Sequence, residues 1–373
     1  MTVTRSRIVP AILVPAAVFQ SVIFGGAYGT GREIAEFVSR HGPWGGMLSL
    51  AVICAGFGTV LALSFELARV FRLYDYRNFL KRLIGSAWWL YELLFLVALL
   101  LVLAVNSFAA GSIIESQFGI PQLLGIGILF VAVVLLNFFG RKLLEGSMSF
   151  WMIALTAVLV VFCAMTLTLD GDAIGEAFAG SSMTGNWMVS GLQYTLYNVA
   201  VVPVLLYCAR GIESRSEAIV GGFVAGAMGA FPALVFHFTF MAGYPRVLDE
   251  ALPTYWMIGQ LGVPWLMGAY VVVLFGMIIQ TMAGLLHGLN ERMDAWFMEQ
   301  RGRLCGRRAH GIIAAAVLIV SLLLSRFGIT DLVAKGYGNL AWGYLLVFVL
   351  PLLTIGAYRL AKAYSVAPGV RPT

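Results

Sequence analysis

Apolar residues fall in blocks of about 20 or more along nearly the whole chain, the length a helix needs to cross the hydrocarbon core of a bilayer. Ten blocks follow one another, at 8–38, 44–69, 87–115, 121–139, 144–169, 187–209, 217–243, 264–289, 309–327 and 329–361. Some exceed one bilayer thickness, which implies tilt, a kink or extension beyond the membrane. The pattern predicts an all-α integral membrane protein with ten transmembrane helices. Between the blocks, Tyr76 to Leu83 mixes basic and apolar residues and reads either as a short helix on the inner surface or as a solvated basic loop. Residues 170–186 read as an external loop, residues around Tyr255 to Ile258 as an external capping helix, and 362–373 as a disordered cytoplasmic tail.

The first block breaks its own pattern. Gly25, Gly26, Gly29 and Gly31 lie within seven residues, and Arg32, Glu33 and Glu36 follow at once. Each glycine weakens a helix by about 1 kcal/mol against alanine. Irregular backbone and charge at membrane depth are tolerated only where they face protein or a water-filled cavity. The alternative for such glycines is close packing against a neighbouring helix.

Blocks one to five occupy 1–169 and blocks six to ten 187–361. Each half holds an odd number of spans, so the second half lies inverted relative to the first. The sixth block should then be interrupted as well. It contains Asn198, a poor helix former, and Pro203, which lacks an amide donor and crowds the carbonyl of Val199.

Composition supports the membrane assignment: 60% of residues are apolar and 11% charged, against about 25% charged in soluble domains. The formal charge of +6 reflects loop placement rather than a nucleic-acid surface. With the N-terminus in the cytoplasm, nineteen of the 24 Lys and Arg fall in inner segments and three, Arg40, Arg246 and Arg326, in outer ones. That bias places both termini in the cytoplasm and the protein in the cell inner (plasma) membrane. Arg5 and Arg7 before an apolar run mimic a signal peptide, but no cleavage-like site follows a short core, so a retained first span is expected.

Ten spans in a five-plus-five inverted repeat with interrupted helices 1 and 6 resemble the LeuT-type fold of the amino acid–polyamine–organocation superfamily. Gly26-Ala27-Tyr28-Gly29-Thr30-Gly31-Arg32-Glu33, with Tyr197-Asn198 and Lys335-Gly336-Tyr337, resembles the YkvI-type membrane proteins of that superfamily. The resemblance implies secondary transport of a small solute by alternating access, often of amino acids or amines. It implies that a substrate carboxylate rests at the second half of helix 1, where unpaired amides around Thr30 to Arg32 favour an anion. Sodium sites in this fold draw on helix 1 carbonyls and helix 8 hydroxyls. Span 8 offers Thr281 and Gln280 without a paired Ser/Thr motif, which argues against sodium coupling.

The ionisable residues near the breaks carry the remaining chemistry. Arg32, Glu36 and Arg40 are spaced four apart and can pair along one face, so Glu36 reads as structural. Glu33 is turned about 100° from Arg32 and has no partner at helical spacing. An unpaired carboxylate there binds a cation, holds a proton, or merely complements the helix dipole. Lys335 is expected to face the bundle, either tethering Asp331 or Glu33 or standing where sodium-coupled relatives hold an ion. Tyr28, Tyr194, Tyr197, Asn198 and Asn106 can form an aromatic, hydrogen-bonding pocket, and tyrosine faces can hold a cation. His237 reads as structural. Cys54, Cys163, Cys208 and Cys305 read as small buried residues, and no metal-ligand spacing is present.

Enzyme motifs fail. Ile34 replaces the last glycine of Gly-x-Gly-x-x-Gly, no strand precedes it, and no phosphate loop or nucleophile elbow occurs. No cofactor is expected. The sequence therefore predicts a secondary transporter for a small polar solute such as an amino acid or amine. Gly26, Gly29, Gly31, Thr30, Arg32, Glu33 and the tyrosines form its site, and Glu33, Asp331, Lys335 and Thr281 its proton-coupling network. A ligand sensor on the same scaffold, a sodium-coupled transporter and a channel are the rivals.

Overall fold

The chain is described from a computed structural model that covers residues 8–139, 141–180, 183–302, 304 and 306–366. Arg5, Arg7, Arg303, Cys305, Arg371 and the tail beyond Val366 lie outside the described residues. Among those described, all regular structure is helical. The principal helices are α1 (Val14–Ile23), α2 (Gly26–Gly29), α3 (Arg32–Phe37), α4 (Gly42–Phe71), α5 (Tyr76–Ile84), α6 (Trp89–Phe118), α7 (Gln122–Phe139), α8 (Arg141–Leu169) and α9 (Gly171–Gly180). They continue as α10 (Trp187–Asn198), α11 (Val202–Leu205), α12 (Arg215–Met241), α13 (Pro253–Gln260), α14 (Pro264–Arg301), α15 (Arg307–Ser325), α16 (Ile329–Asp331), α17 (Gly338–Tyr344) and α18 (Ala357–Val366). Among the described residues, seven helical stretches are long and apolar enough to cross a bilayer, with three shorter apolar helices at Val9–Ile23, Gln122–Leu135 and Ala309–Ser325. The protein is multi-pass.

The first block opens as its glycines require. α1 ends at Phe24, Gly25 is extended (ψ −178°), α2 makes one turn, and Gly31 turns left-handed (φ +76°) before α3. The sixth block is interrupted more softly than the first, in keeping with its weaker break signal in the sequence. Its winding continues through a 3-10 turn at Val199–Val201, just ahead of Pro203, and tightens again at Leu206–Gly211. A proline removes one donor and shifts the hydrogen-bond register; four glycines remove the helix. The freed Ala200 carbonyl accepts from the Tyr91 hydroxyl of α6 at 2.6 Å. The last block is irregular too, with wide π turns at Leu332–Tyr337, Leu345–Val349 and Leu352–Gly356.

Outside the spans, α5 is the amphipathic helix rather than a loop. Asp75 caps it by accepting from the Asn78 amide, and Phe79, Leu80 and Leu83 are buried. Residues 170–186, expected as a loop, contain α9. Its Phe178 ring stacks on Phe238 of α12 with centroids 5.4 Å apart, and its Phe178 carbonyl accepts from the Trp44 indole. The segment after α12 carries α13, as expected for a capping helix.

Helices α4 and α12 cross backbone to backbone. A Cβ on Gly222 would meet the Ala62 amide nitrogen at 2.3 Å, and one on Gly226 the Gly58 nitrogen at 2.5 Å. Close approach through small residues is how helices associate where lipid offers no hydrophobic drive. Backbone cannot swing aside as a side chain can, so Gly222→Ala should destabilise by about 1–3 kcal/mol and lower the melting temperature in detergent. Gly175→Ala, where a Cβ meets nothing within 4 Å, should not. His237 is structural. Its Nδ1 meets Ser39 Oγ at 3.0 Å and its Nε2 the Pro43 carbonyl at 2.9 Å, which ties α12 to the start of α4.

Candidate functional site

The opened stretch between α1 and α3 borders a cavity of about 200 Å³. Its walls come from five places: the break itself, the middle of α6, the 3-10 turn after α10, α14, and the last span. The break is held open from outside the helix. The Gly26 amide, which lost its intrahelical partner, donates to Thr281 Oγ1 of α14 at 3.2 Å. Gly26 has no room for a side chain, since a Cβ would lie 2.9 Å from both the Ile278 backbone and Asn106 Oδ1. The Gly29 carbonyl accepts from the Tyr270 hydroxyl at 3.0 Å.

Glu33 is the acid of this cavity. It is buried, and its Oε2 accepts from the Tyr197 hydroxyl at 2.5 Å. Among the described residues no Lys, Arg or His pairs with it; the adjacent Arg32 is committed to Glu36. Aromatic rings surround it. Tyr197 lies against Tyr337 with ring centroids 5.0 Å apart, and against Tyr194 at 5.4 Å. Tyr28 lines the same space, its ring 4.9 Å from Phe24. The Tyr337 hydroxyl is buried without a hydrogen-bond partner. Such a site offers a carboxyl group, phenol hydroxyls and aromatic faces, and among the described residues no cationic side chain. Those groups are chemically suited to a cation or a proton.

Of the expected residues, Tyr28, Glu33, Tyr197, Asn198 and Thr281 line the cavity. Gly26, Gly29, Gly31, Thr30, Arg32, Asn106 and Tyr194 lie outside that lining. Tyr194 is fully buried between Phe37, Phe57 and Tyr197. Asn106 Nδ2 donates to the Val102 carbonyl of its own helix. Gly31 packs against the end of α12 and the start of α13, where a Cβ would lie 2.4 Å from the Phe240 ring and 2.5 Å from Thr254 Oγ1. Thr30 caps the helix restart: its Oγ1 accepts from the Arg32 amide at 3.3 Å, and its carbonyl accepts from the Thr254 amide at 3.1 Å. The Arg32 amide expected to meet a substrate carboxylate is therefore occupied.

Arg32 points away from the cavity. Its Nη1 donates to the Leu248 and Glu250 carbonyls at 2.8 and 2.9 Å, and its Nη2 to Glu36 at 2.7 Å. Glu36 also meets Arg40 at 2.9 Å. The guanidinium thus fastens the segment between α12 and α13 onto α3. The Lys335 expectation fails in direction. Its ammonium meets Asp331 at 3.1 Å, as the spacing predicts, but the Lys335 side chain is 74% exposed and Asp331 51%. Both turn outward within two turns of the start of their span, where a lysine can reach the interface. The site residues not expected from the sequence are Tyr337, Tyr344 and Phe95, which line the cavity. Tyr337 and Tyr344 are seven apart, a helical-face spacing legible in the sequence.

No protein-family model matches the chain. It is 23% identical over 350 residues to the uncharacterized membrane protein YkvI of Bacillus subtilis (strain 168), across 92% of this chain and 96% of that protein. It is also similar to the solved structures of Mhp1. The inward-facing conformation gives a TM-score of 0.58 at 17% identity, over 95% of this chain and 76% of Mhp1. The closed conformation of Mhp1, a nucleobase-cation-symport-1 family transporter with bromovinylhydantoin bound, gives 0.60 at 15% identity, over 95% and 78%. The fold is Mhp1-like, of the LeuT type.

Proposed function

We propose that this protein is a secondary transporter for a small organic cation, an amine or an amino acid held by its amino group, with Glu33 as the group that alternates between proton and substrate. The observation that carries the reading is a buried carboxyl beside an opened helix, ringed by tyrosines, with no cationic side chain against it among the described residues. A protonated Glu33 leaves the site neutral; an ionised one demands a positive partner. Exchange of proton for cation at one carboxyl is sufficient for antiport. A cavity of about 200 Å³ suits a small solute.

The proposal includes the topology from which alternating access follows. Seven long and three shorter apolar helices support ten spans. Residues 1–169 and 187–361 form the inverted halves, joined by the external segment 170–186. The lysine and arginine bias supports cytoplasmic termini in the plasma membrane. Thr281 belongs to the site through its bond to Gly26, whereas the exposed Asp331–Lys335 pair is left out of the coupling network.

Solute counterflow in proteoliposomes tests the reading. Vesicles preloaded with an unlabelled small amine should accumulate the labelled one transiently, and amines should also raise the melting temperature of the purified protein. A melting shift without counterflow identifies a ligand sensor on the same fold. Neither response to any amine or amino acid overturns the proposed substrate class.

A further inference from the structure

At one end of the bundle three cations share a pocket that holds no acid among the described residues. Arg82 comes from α5, Arg359 and Lys362 from α18, and Phe71 closes α4 beside them; with Tyr358 and Ala363 they line a pocket of about 500 Å³. Neighbouring arginines on the same face are neutralised, Arg69 by Glu66 at 2.7 Å and Arg77 by Glu299 at 3.1 Å. Among the described residues Arg82, Arg359 and Lys362 form no ion pair. The Arg82 guanidinium lies over the Phe71 ring, 5.2 Å from its centroid, which fixes its direction and leaves its N–H donors available. Arg359 Nη1 is buried with no hydrogen-bond partner. A buried guanidinium nitrogen without an acceptor is costly, and three like charges repel one another. An anion presenting several oxygens relieves both, and a phosphate matches the planar donor fork of arginine.

The location selects the source of that anion. α4 ends at Phe71, the last span runs out through α18, and α5 lies across them with Phe79, Leu80 and Leu83 turned inward. Span ends beside an interfacial amphipathic helix stand at the depth of a bilayer's phosphates. Basic pockets between helices at that depth bind anionic headgroups. We propose that Arg82, Arg359 and Lys362 bind the phosphate of an anionic glycerophospholipid, with Phe71 and Tyr358 as the apolar wall. This site is independent of what the central cavity carries.

The test uses the full chain in neutral detergent, titrated with dioctanoyl phosphatidylglycerol, dioctanoyl phosphatidylcholine or inorganic phosphate. Binding is followed by melting temperature and by native mass spectrometry. Phosphatidylglycerol should bind and stabilise, while phosphatidylcholine and inorganic phosphate should not. Arg359→Gln, Lys362→Gln and Arg82→Gln should each weaken that binding by about fivefold per charge removed. Arg301→Gln, an exposed cation beyond the pocket, should leave it unchanged. If Arg359→Gln does not fold, Lys362→Gln and Arg82→Gln carry the test. Equal binding of the two lipids, wild-type binding by the pocket variants, or an equal loss in Arg301→Gln overturns the site. Saturation by inorganic phosphate alone overturns the lipid assignment.

Discussion

Glu33→Gln should reduce amine uptake by about 30-fold or more, because a charge-assisted contact to a buried cation contributes about 2 kcal/mol. The amide keeps the shape of the carboxyl and one oxygen to accept from Tyr197 Oη, now 2.5 Å away. It cannot ionise, so the variant should also lose the pH dependence of transport. Folding should be unaffected or slightly improved, since a lone buried carboxylate is costly to desolvate. Uptake and counterflow measured across a pH series, with melting temperature alongside, separate these effects. A Glu33→Gln protein that transports like wild type, with the same pH profile, removes Glu33 from the mechanism and the proton–cation exchange with it.

Arg32→Gln should act on the neighbouring residue in the opposite sense. The guanidinium is 1% exposed and holds two backbone carbonyls and one carboxylate. Breaking a buried charge cluster of this kind costs about 3–5 kcal/mol. A lower melting temperature and faster proteolysis between Tyr244 and Gly262 are expected, because Leu248 and Glu250 lose their tie to α3. Lysine restores the charge but not the planar fork, so Arg32→Lys should fall between the two. If Arg32→Gln melts like wild type yet fails to bind solute, Arg32 contacts substrate rather than clamping the outer segment.

The two adjacent residues also show where sequence reading stopped. Arg32 and Glu33 are separated by about 100° on a helix, enough to send one to the outer segment and the other into the cavity. Their identity, their location at a break and the Arg32–Glu36–Arg40 ladder are local properties, and all were legible. Their destinations depended on Leu248, Glu250 and Tyr197, which lie 164 or more positions away in the chain. Lys335 was misdirected for a related reason. Its surroundings, Leu332–Tyr337, form a π turn, and i→i+5 winding rotates the faces that a 3.6-residue period assigns. The softness of the second interruption followed from Pro203 being a single donor loss whose freed carbonyl region is supported by Tyr91.

Sequence alone determined the solvent and the break. A helix in lipid must satisfy its own backbone, so apolar block length reports the spans, and a run of glycines followed by charge reports where that rule is suspended. Tertiary structure decided what the break faces. Thr281 takes up the Gly26 amide from 255 residues away, Tyr197 meets Glu33 across 164, and Tyr337 closes on Tyr197 from the last span. Those contacts arise from the packing of separate helices, and no periodicity within one helix encodes which face of another it meets.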